Sequence, residues 1–61
     1  MGIRYYFKDE VVARQAVAKA HNYQFWAYTF KGGLPAGAEC GVECSSLCEG
    51  LFEKEFESNL V

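Results

Sequence analysis

The segment that most restricts the fold is an aromatic run, Tyr23–Phe30, with the sequence Y-Q-F-W-A-Y-T-F. Aromatic and β-branched residues favour strands, and the pair Gly32-Gly33 follows the run as a turn signal. Successive side chains of a strand point to opposite faces, so this one would carry rings on both. Such a strand needs cover on each face, or a partner on one. The sequence predicts a strand here without showing which face is buried.

The residues before this run predict a strand followed by a helix. Ile3–Phe7 has the composition of a strand, and Asp9 is suited to cap a helix N-terminus. We predict a helix from about residue 9 to 21, with Asn22 as its stop and His21 close to its negative end. Small apolar residues recur there at helical spacing: Val12, Ala13, Ala16, Val17 and Ala20. This face can lie close to a layer of rings.

The second half predicts a loop and a second helix. Lys31–Cys44 holds four glycines and the only proline, so a loop is predicted, with a short third strand at Ala38–Val42 as an alternative. Ser45 can cap a helix, although Gly50 weakens it by about 1 kcal/mol relative to alanine. An apolar stripe supports that helix: Leu47, Cys48, Leu51, Phe52, Phe56 and Leu60. We predict one α+β domain over residues 1–61, ordered β-α-β-loop-α, with a two- to three-stranded sheet packed by two helices.

The length of the chain limits what the domain can enclose. A protein of 61 residues buries only about 60% of its unfolded surface, and the 51% hydrophobic and 16% aromatic content fills that interior. Little room remains for a substrate cavity of about 300 Å³, so we do not expect an enzyme. No signal peptide and no apolar stretch of about 20 residues is visible. Three cysteines make an odd number, which favours free thiols in a cytoplasm and no membrane association.

The cysteines give one alternative, a zinc module. Cys40, Cys44 and Cys48 are spaced four apart, and His21 could supply a fourth ligand. Zinc sites usually have tighter cysteine pairs, however, and small buried thiols also serve as core residues. His21 is better explained as a cation at a helix C-terminus than as a catalytic base, because no orienting group accompanies it. We therefore predict no cofactor and keep zinc binding as an alternative.

Charge is divided unevenly along the chain. Residues 1–31 carry a net +3 and residues 32–61 a net −5, which together give −2. Glu49, Glu53 and Glu57 are four apart, so one continuous helix would place them on one face. That face is either solvated or an acidic surface that docks on a cationic, nucleic-acid-handling protein. The candidate partner-binding acids are Glu43, Glu49, Glu53, Glu55 and Glu57.

The rings of the predicted strands form a second candidate surface. Trp26 and Tyr28 are candidate partner-binding residues, and they would share a sheet face with other rings near the cations of the first strand. Such a face could stack single-stranded bases, form a protein hot spot or mediate a homodimer. The net negative charge argues against direct nucleic-acid binding, because phosphate contacts dominate that affinity.

With its acidic helix (Glu49, Glu53, Glu55 and Glu57) and its aromatic strand Tyr23–Phe30, the chain resembles the small inhibitors that phages and mobile elements encode, such as anti-CRISPR proteins. The resemblance implies an inhibitor in the host cytoplasm that blocks nucleic-acid binding or complex assembly. The leading hypothesis is thus a non-catalytic inhibitory protein that docks its acidic helix on a basic partner. A single-stranded nucleic-acid binder and a zinc module are the alternatives.

Overall fold

A computed structural model describes residues 1–61 as a three-stranded antiparallel sheet with two helices. The strand β3 lies between β1 and β2 and is antiparallel to both. The elements are β1 (Gly2–Phe7), α1 (Glu10–Asn22), β2 (Ala27–Phe30), β3 (Cys40–Ser45) and α2 (Glu49–Glu55), with single 3₁₀ turns at Ser46–Cys48 and Glu57–Asn59. The predicted α+β class with two helices and a small sheet is confirmed.

The first helix begins and packs as its sequence predicts. The Asp9 side chain accepts a hydrogen bond from the Val11 amide at 2.8 Å, which satisfies one of the free donors at the N-terminus. Ala13, Ala16 and Ala20 are completely buried, and α1 contacts β2 and β3. Small side chains therefore let the helix lie close to the sheet.

The second strand is shorter than the predicted segment Tyr23–Phe30, because its first four residues form the exit from α1. The amides of Tyr23 and Phe25 donate to the Ala20 carbonyl, and the Gln24 amide donates to His21. Gln24 has a φ of +63°, which reverses the chain. The last carbonyls of a helix need donors, and here residues with strand composition supply them.

The third strand corrects the prediction of a loop over Lys31–Cys44. β3 runs from Cys40 to Ser45, so it overlaps the alternative third strand at Ala38–Val42 and extends three residues past it. It is central: Cys44 lies opposite Ile3 of β1 and Ala27 of β2. Glycine, glutamate and serine are poor strand formers, so the composition concealed the strand.

The predicted continuous second helix is also wrong. α2 has seven residues and ends at Glu55, and Phe56 leaves the helical region with a φ of −121°. The chain then runs beside β1: the Lys8 amide donates to the Asn59 carbonyl, and the Val61 amide donates to the Tyr6 carbonyl, both at 2.8 Å. This pairing provides hydrogen bonds that cover the C-terminal end of the outer edge of β1.

Both helices pack on one face of the sheet. On that side the Phe52 ring of α2 lies 5.2 Å from the Tyr5 ring and 5.9 Å from the Phe7 ring, measured between centroids. The fully buried residues of the core are Phe7, Ala13, Ala16, Ala20, Cys40, Val42, Cys44, Cys48 and Phe52. The opposite side of the sheet carries no helix, and we call it the open face.

Candidate interaction surfaces

The open face is largely aromatic. Its strand positions, fixed by the register, are Gly2, Arg4 and Tyr6 of β1, Gly41, Glu43 and Ser45 of β3, and Tyr28 and Phe30 of β2, with Trp26 directly before β2. Trp26 is 46% exposed and Tyr28 50%, while Tyr6 and Phe30 are half-buried. The structure therefore brings the two predicted aromatic candidates together on the uncovered side.

Two rings lie across neighbouring strands, above residues that have no side chain to obstruct them. A Cβ added at Gly41 would lie 2.3 Å from Cζ of Phe30, and one added at Gly2 would lie 2.7 Å from Cη2 of Trp26. The Ser45 amide also donates to the Trp26 carbonyl at 3.0 Å, which holds the base of that residue against β3. The rings consequently lie against the sheet instead of standing out from it.

Gly41→Ala tests this seating. The added methyl should displace the Phe30 ring, which packs edge-on against Tyr6 at 6.1 Å and lies 5.0 Å beneath the Arg4 guanidinium. We expect a loss of about 1–3 kcal/mol, the usual cost of overpacking, in urea unfolding followed by circular dichroism. Gly50→Ala is the control: nothing lies within 4 Å of its added Cβ, and alanine in place of a helical glycine should raise the stability by up to about 1 kcal/mol. If Gly41→Ala were as stable as the wild type, the ring would not be seated on Gly41.

The charges of the open face balance each other. Arg4 Nε donates to Glu43 Oε1 at 3.1 Å, and this hydrogen bond raises the pKa of Arg4. The same carboxylate raises the pKa of the Tyr28 hydroxyl. Glu43 of the central strand therefore lies between Arg4 and Tyr28, which are opposite it on β1 and β2, and its ion pair with Arg4 balances the charge.

The structure divides the predicted acidic set. Glu43 belongs to the open face, together with Trp26 and Tyr28. Glu55 forms an ion pair with Lys19 at 3.0 Å, and Glu57 lies in the 3₁₀ turn after the helix. The expectation that Glu57 continues one helix face is wrong, because α2 ends before it. Glu49 and Glu53 are the exposed glutamates of α2 that form no ion pair.

The basic residues mostly have partners within the chain. Arg4, Arg14, Lys19 and Lys31 are all in ion pairs, while Lys8 donates to the Ser58 carbonyl. By contrast, Glu49, Glu53 and Glu57 form no ion pair; Glu53 accepts only a hydrogen bond from the Tyr5 hydroxyl at 3.1 Å. We call these three residues the free glutamates. Lys54 of α2 forms no ion pair either, so these three glutamates and Lys54 together carry a net charge of −2 (−3 + 1).

The candidate metal ligands do not form a zinc site. Cys40, Cys44 and Cys48 are completely buried, and no group of three metal-capable side chains comes together. Burial raises the pKa of Cys44 to about 12, and the adjacent Cys48 acts in the same direction. His21 Nε2 lies 2.9 Å from the Ala27 carbonyl oxygen, at the edge of β2. The thiols are core residues, and the histidine covers a strand carbonyl.

The sequence named the exposed rings but missed the residues that seat them, Gly2 and Gly41, and the bridging role of Glu43. The alternation of Gly41, Glu43 and Ser45 with apolar neighbours was the available signal, since it gives one small, polar strand face.

No cavity is detected, and neither helix has the length and apolar character needed to cross a membrane. Family models, curated proteins and solved structures give no match to this chain, so none of them assigns it a family.

Proposed function

We propose that this chain is a non-catalytic binding protein that contacts a protein partner through the open face and inhibits it by occupying its surface. The observation that carries the proposal is the exposure of Trp26 and Tyr28 beside Arg4 on a sheet face that no helix covers. Tryptophan, tyrosine and arginine are the residues that most often dominate binding energy at protein interfaces. Their rings are already held in place here, so little entropy is lost on binding.

A protein partner fits this face better than a nucleic acid does. Single-stranded binding sites combine stacking rings with a cationic groove, and binding strength follows the number of phosphate contacts. On the open face the one cation, Arg4, is already paired with Glu43. Stacking alone would have to supply the affinity against a chain of net charge −2.

The nucleic-acid alternative is favoured by the rings themselves and has a direct test. Trp26 is the only tryptophan, so its fluorescence reports on this face without labelling. We expect titration with single-stranded oligonucleotides at low salt to leave the emission unchanged. Quenching that disappears with rising salt, and that requires Tyr28, would instead support base stacking.

The free glutamates are a second candidate surface. Because Glu49, Glu53 and Glu57 form no ion pair, they attract a basic partner over a longer range than the paired charges can. In this proposal they raise the rate of encounter, while the rings of the open face hold the complex. A partner with a basic surface next to an apolar patch satisfies both.

The two surfaces can be separated by mutation. We propose co-purification from cells that naturally contain the protein, followed by affinity measurement on the captured partner. Trp26→Ala/Tyr28→Ala should weaken binding at least 100-fold, because each hot-spot residue contributes about 2 kcal/mol or more. The matched control, Val11→Ala/Leu47→Ala, removes exposed apolar side chains elsewhere and should bind like the wild type.

Reversing the charge of the free glutamates tests the second surface. Glu49→Lys/Glu53→Lys/Glu57→Lys should slow association and reduce its salt dependence, with a smaller effect on dissociation. Should this variant lose all binding while Trp26→Ala/Tyr28→Ala keeps full affinity, the free glutamates would be the contact surface and the open face would not. Circular dichroism on each variant separates lost binding from lost folding.

A further inference from the structure

We propose that a second copy of this chain covers the open face when no partner is bound, so that self-association and partner binding compete for the same rings. The competition rests on the proposed function, but the self-association does not. Three properties of the open face favour a second copy as the molecule that covers it: its shape, its charge and its area.

The shape suits a second sheet. Phe30 lies over Gly41 and Trp26 over Gly2, so these rings lie against the strands. Tyr28 continues this layer, with its ring inclined by only 24° to that of Trp26. Sheets that meet face to face pack about 10 Å apart through interdigitating side chains. A layer of rings that lies against its own sheet allows such an approach.

The charges allow two copies to meet. Arg4 and Glu43 give the open face one charge of each sign, so a two-fold contact presents equal numbers of both. The free glutamates belong to α2 and the turn after it, and α2 packs on the opposite side of the sheet. In a face-to-face pair the free glutamates of the two copies lie on opposite outer sides. The distance between the two sets exceeds the Debye length of about 8 Å at physiological salt. Repulsion between acidic copies is therefore small.

The area predicts a weak association. An aromatic side chain buries about 150–250 Å², so half-exposed rings such as Trp26 and Tyr28 each offer about 100 Å². Together with its half-buried rings and Arg4, the face offers on the order of 500 Å² per copy, or about 1,000 Å² per pair, which is the lower limit of a specific interface. The expected dissociation constant is micromolar or weaker. Such a dimer leaves the face available to a tighter partner.

Pairing through strand edges is less favourable than pairing through the face. The outer edge of β1 is covered at its C-terminal end, where the backbone of Asn59 and Val61 bonds to Lys8 and Tyr6. The outer edge of β2 is four residues long, and its Ala27 carbonyl already faces His21 Nε2 at 2.9 Å. Short, covered edges are protected against strand addition, whereas the open face has no such protection.

The test measures the mass of the purified protein, without any partner, by sedimentation equilibrium from about 5 μM to 1 mM, a range that brackets micromolar association. We expect the mass to rise from that of the 6.9 kDa monomer toward twice that value, with a blue shift of Trp26 emission. Tyr28→Glu should stay monomeric throughout. Val11→Glu, which places the same charge on the exposed side of α1, should dimerise like the wild type.

Several results would overturn the inference. A wild type that stays monomeric at 1 mM does so, as does a dimer that Tyr28→Glu and Val11→Glu leave equally intact, since that dimer uses another surface. If circular dichroism shows that Tyr28→Glu does not fold, the milder variant Tyr28→Ser is used in its place. If the wild type is monomeric but Trp26→Ala/Tyr28→Ala still loses its partner, the proposed function stands and the dimer fails. If Tyr28→Glu abolishes the dimer without affecting the partner, the reverse holds.

Discussion

Phe52→Ala is expected to remove a large part of the folding stability, so that the variant unfolds at a much lower urea concentration than the wild type. Phe52 is completely buried, and its ring contacts those of Tyr5, Phe7 and Phe56. Removing a buried phenylalanine costs about 3–5 kcal/mol. A domain of 61 residues has a total stability of about 3–9 kcal/mol at 0.05–0.15 kcal/mol per residue, so one substitution removes much or all of it.

Leu47→Ala is the matched control for this prediction. Leu47 lies five residues before Phe52 but is 69% exposed, so its loss should change the stability by no more than about 0.5 kcal/mol. Urea unfolding followed by circular dichroism measures both variants. If Phe52→Ala were as stable as Leu47→Ala, α2 would not be part of the core.

Raising the pH from about 9 toward 12 is expected to destabilise the fold strongly. Burial raises the pKa of Cys44 to about 12, whereas an unfolded thiol loses its proton near pH 8.5. Between those values the unfolded chain binds fewer protons than the folded one, so the free energy of unfolding falls as the pH rises. Burial and the hydrogen bond to Glu53 also raise the pKa of the Tyr5 hydroxyl, which contributes with the same sign.

Urea midpoints at pH 7, 9, 10 and 11 measure this effect. Cys44→Ala should flatten the decline, because the variant lacks the thiol that is neutral in the folded state and ionises on unfolding. Val42→Ala is the control: it removes a fully buried side chain from the same strand but no titrating group, so it should lower the stability at every pH and keep the wild-type slope. A stability that stayed constant from pH 8 to 11 would contradict the assignment of Cys44 as a buried, neutral thiol.

The sequence predicts the first half of the fold well, because its signals are local. The strand at Ile3–Phe7, the Asp9 cap and the alanine face of α1 all depend on residues within one or two turns of each other. Each feature can be recognised from the local sequence, although its packing requires β3. For this reason the predicted and observed boundaries differ by only one residue at most ends.

The second half depends on distant contacts, so local patterns mislead there. Cys40–Ser45 becomes a strand because β1 and β2 flank it on both sides and bury its cysteines. The helix after it stops at Glu55 because the last residues hydrogen-bond to the backbone of Tyr6 and Lys8. The alternation within Cys40–Ser45 does not show that the strand is central, and the end of α2 leaves no periodic signal in its segment.

The candidate surfaces were also predicted only in part, because their residues stand out locally but their arrangement depends on distant contacts. Trp26 and Tyr28 stand out in the sequence, but only the register places them with Arg4 and Glu43 on one uncovered face. The regular spacing of Glu49, Glu53 and Glu57 suggested one continuous strip, and the end of the helix interrupts it. Spacing predicts a shared face only as far as the element extends.

The pairing of β1 with β3 also has a consequence for how the chain folds. Gly2 lies opposite Ser45 and Phe7 opposite Cys40, so each residue of β1 is synthesised 33 to 43 residues before its partner in β3 (40 − 7 = 33 and 45 − 2 = 43). The last residues must then follow before the outer side of that strand is closed. Folds dominated by such distant contacts form slowly. The ribosome will therefore have completed β1 well before β3 can pair with it.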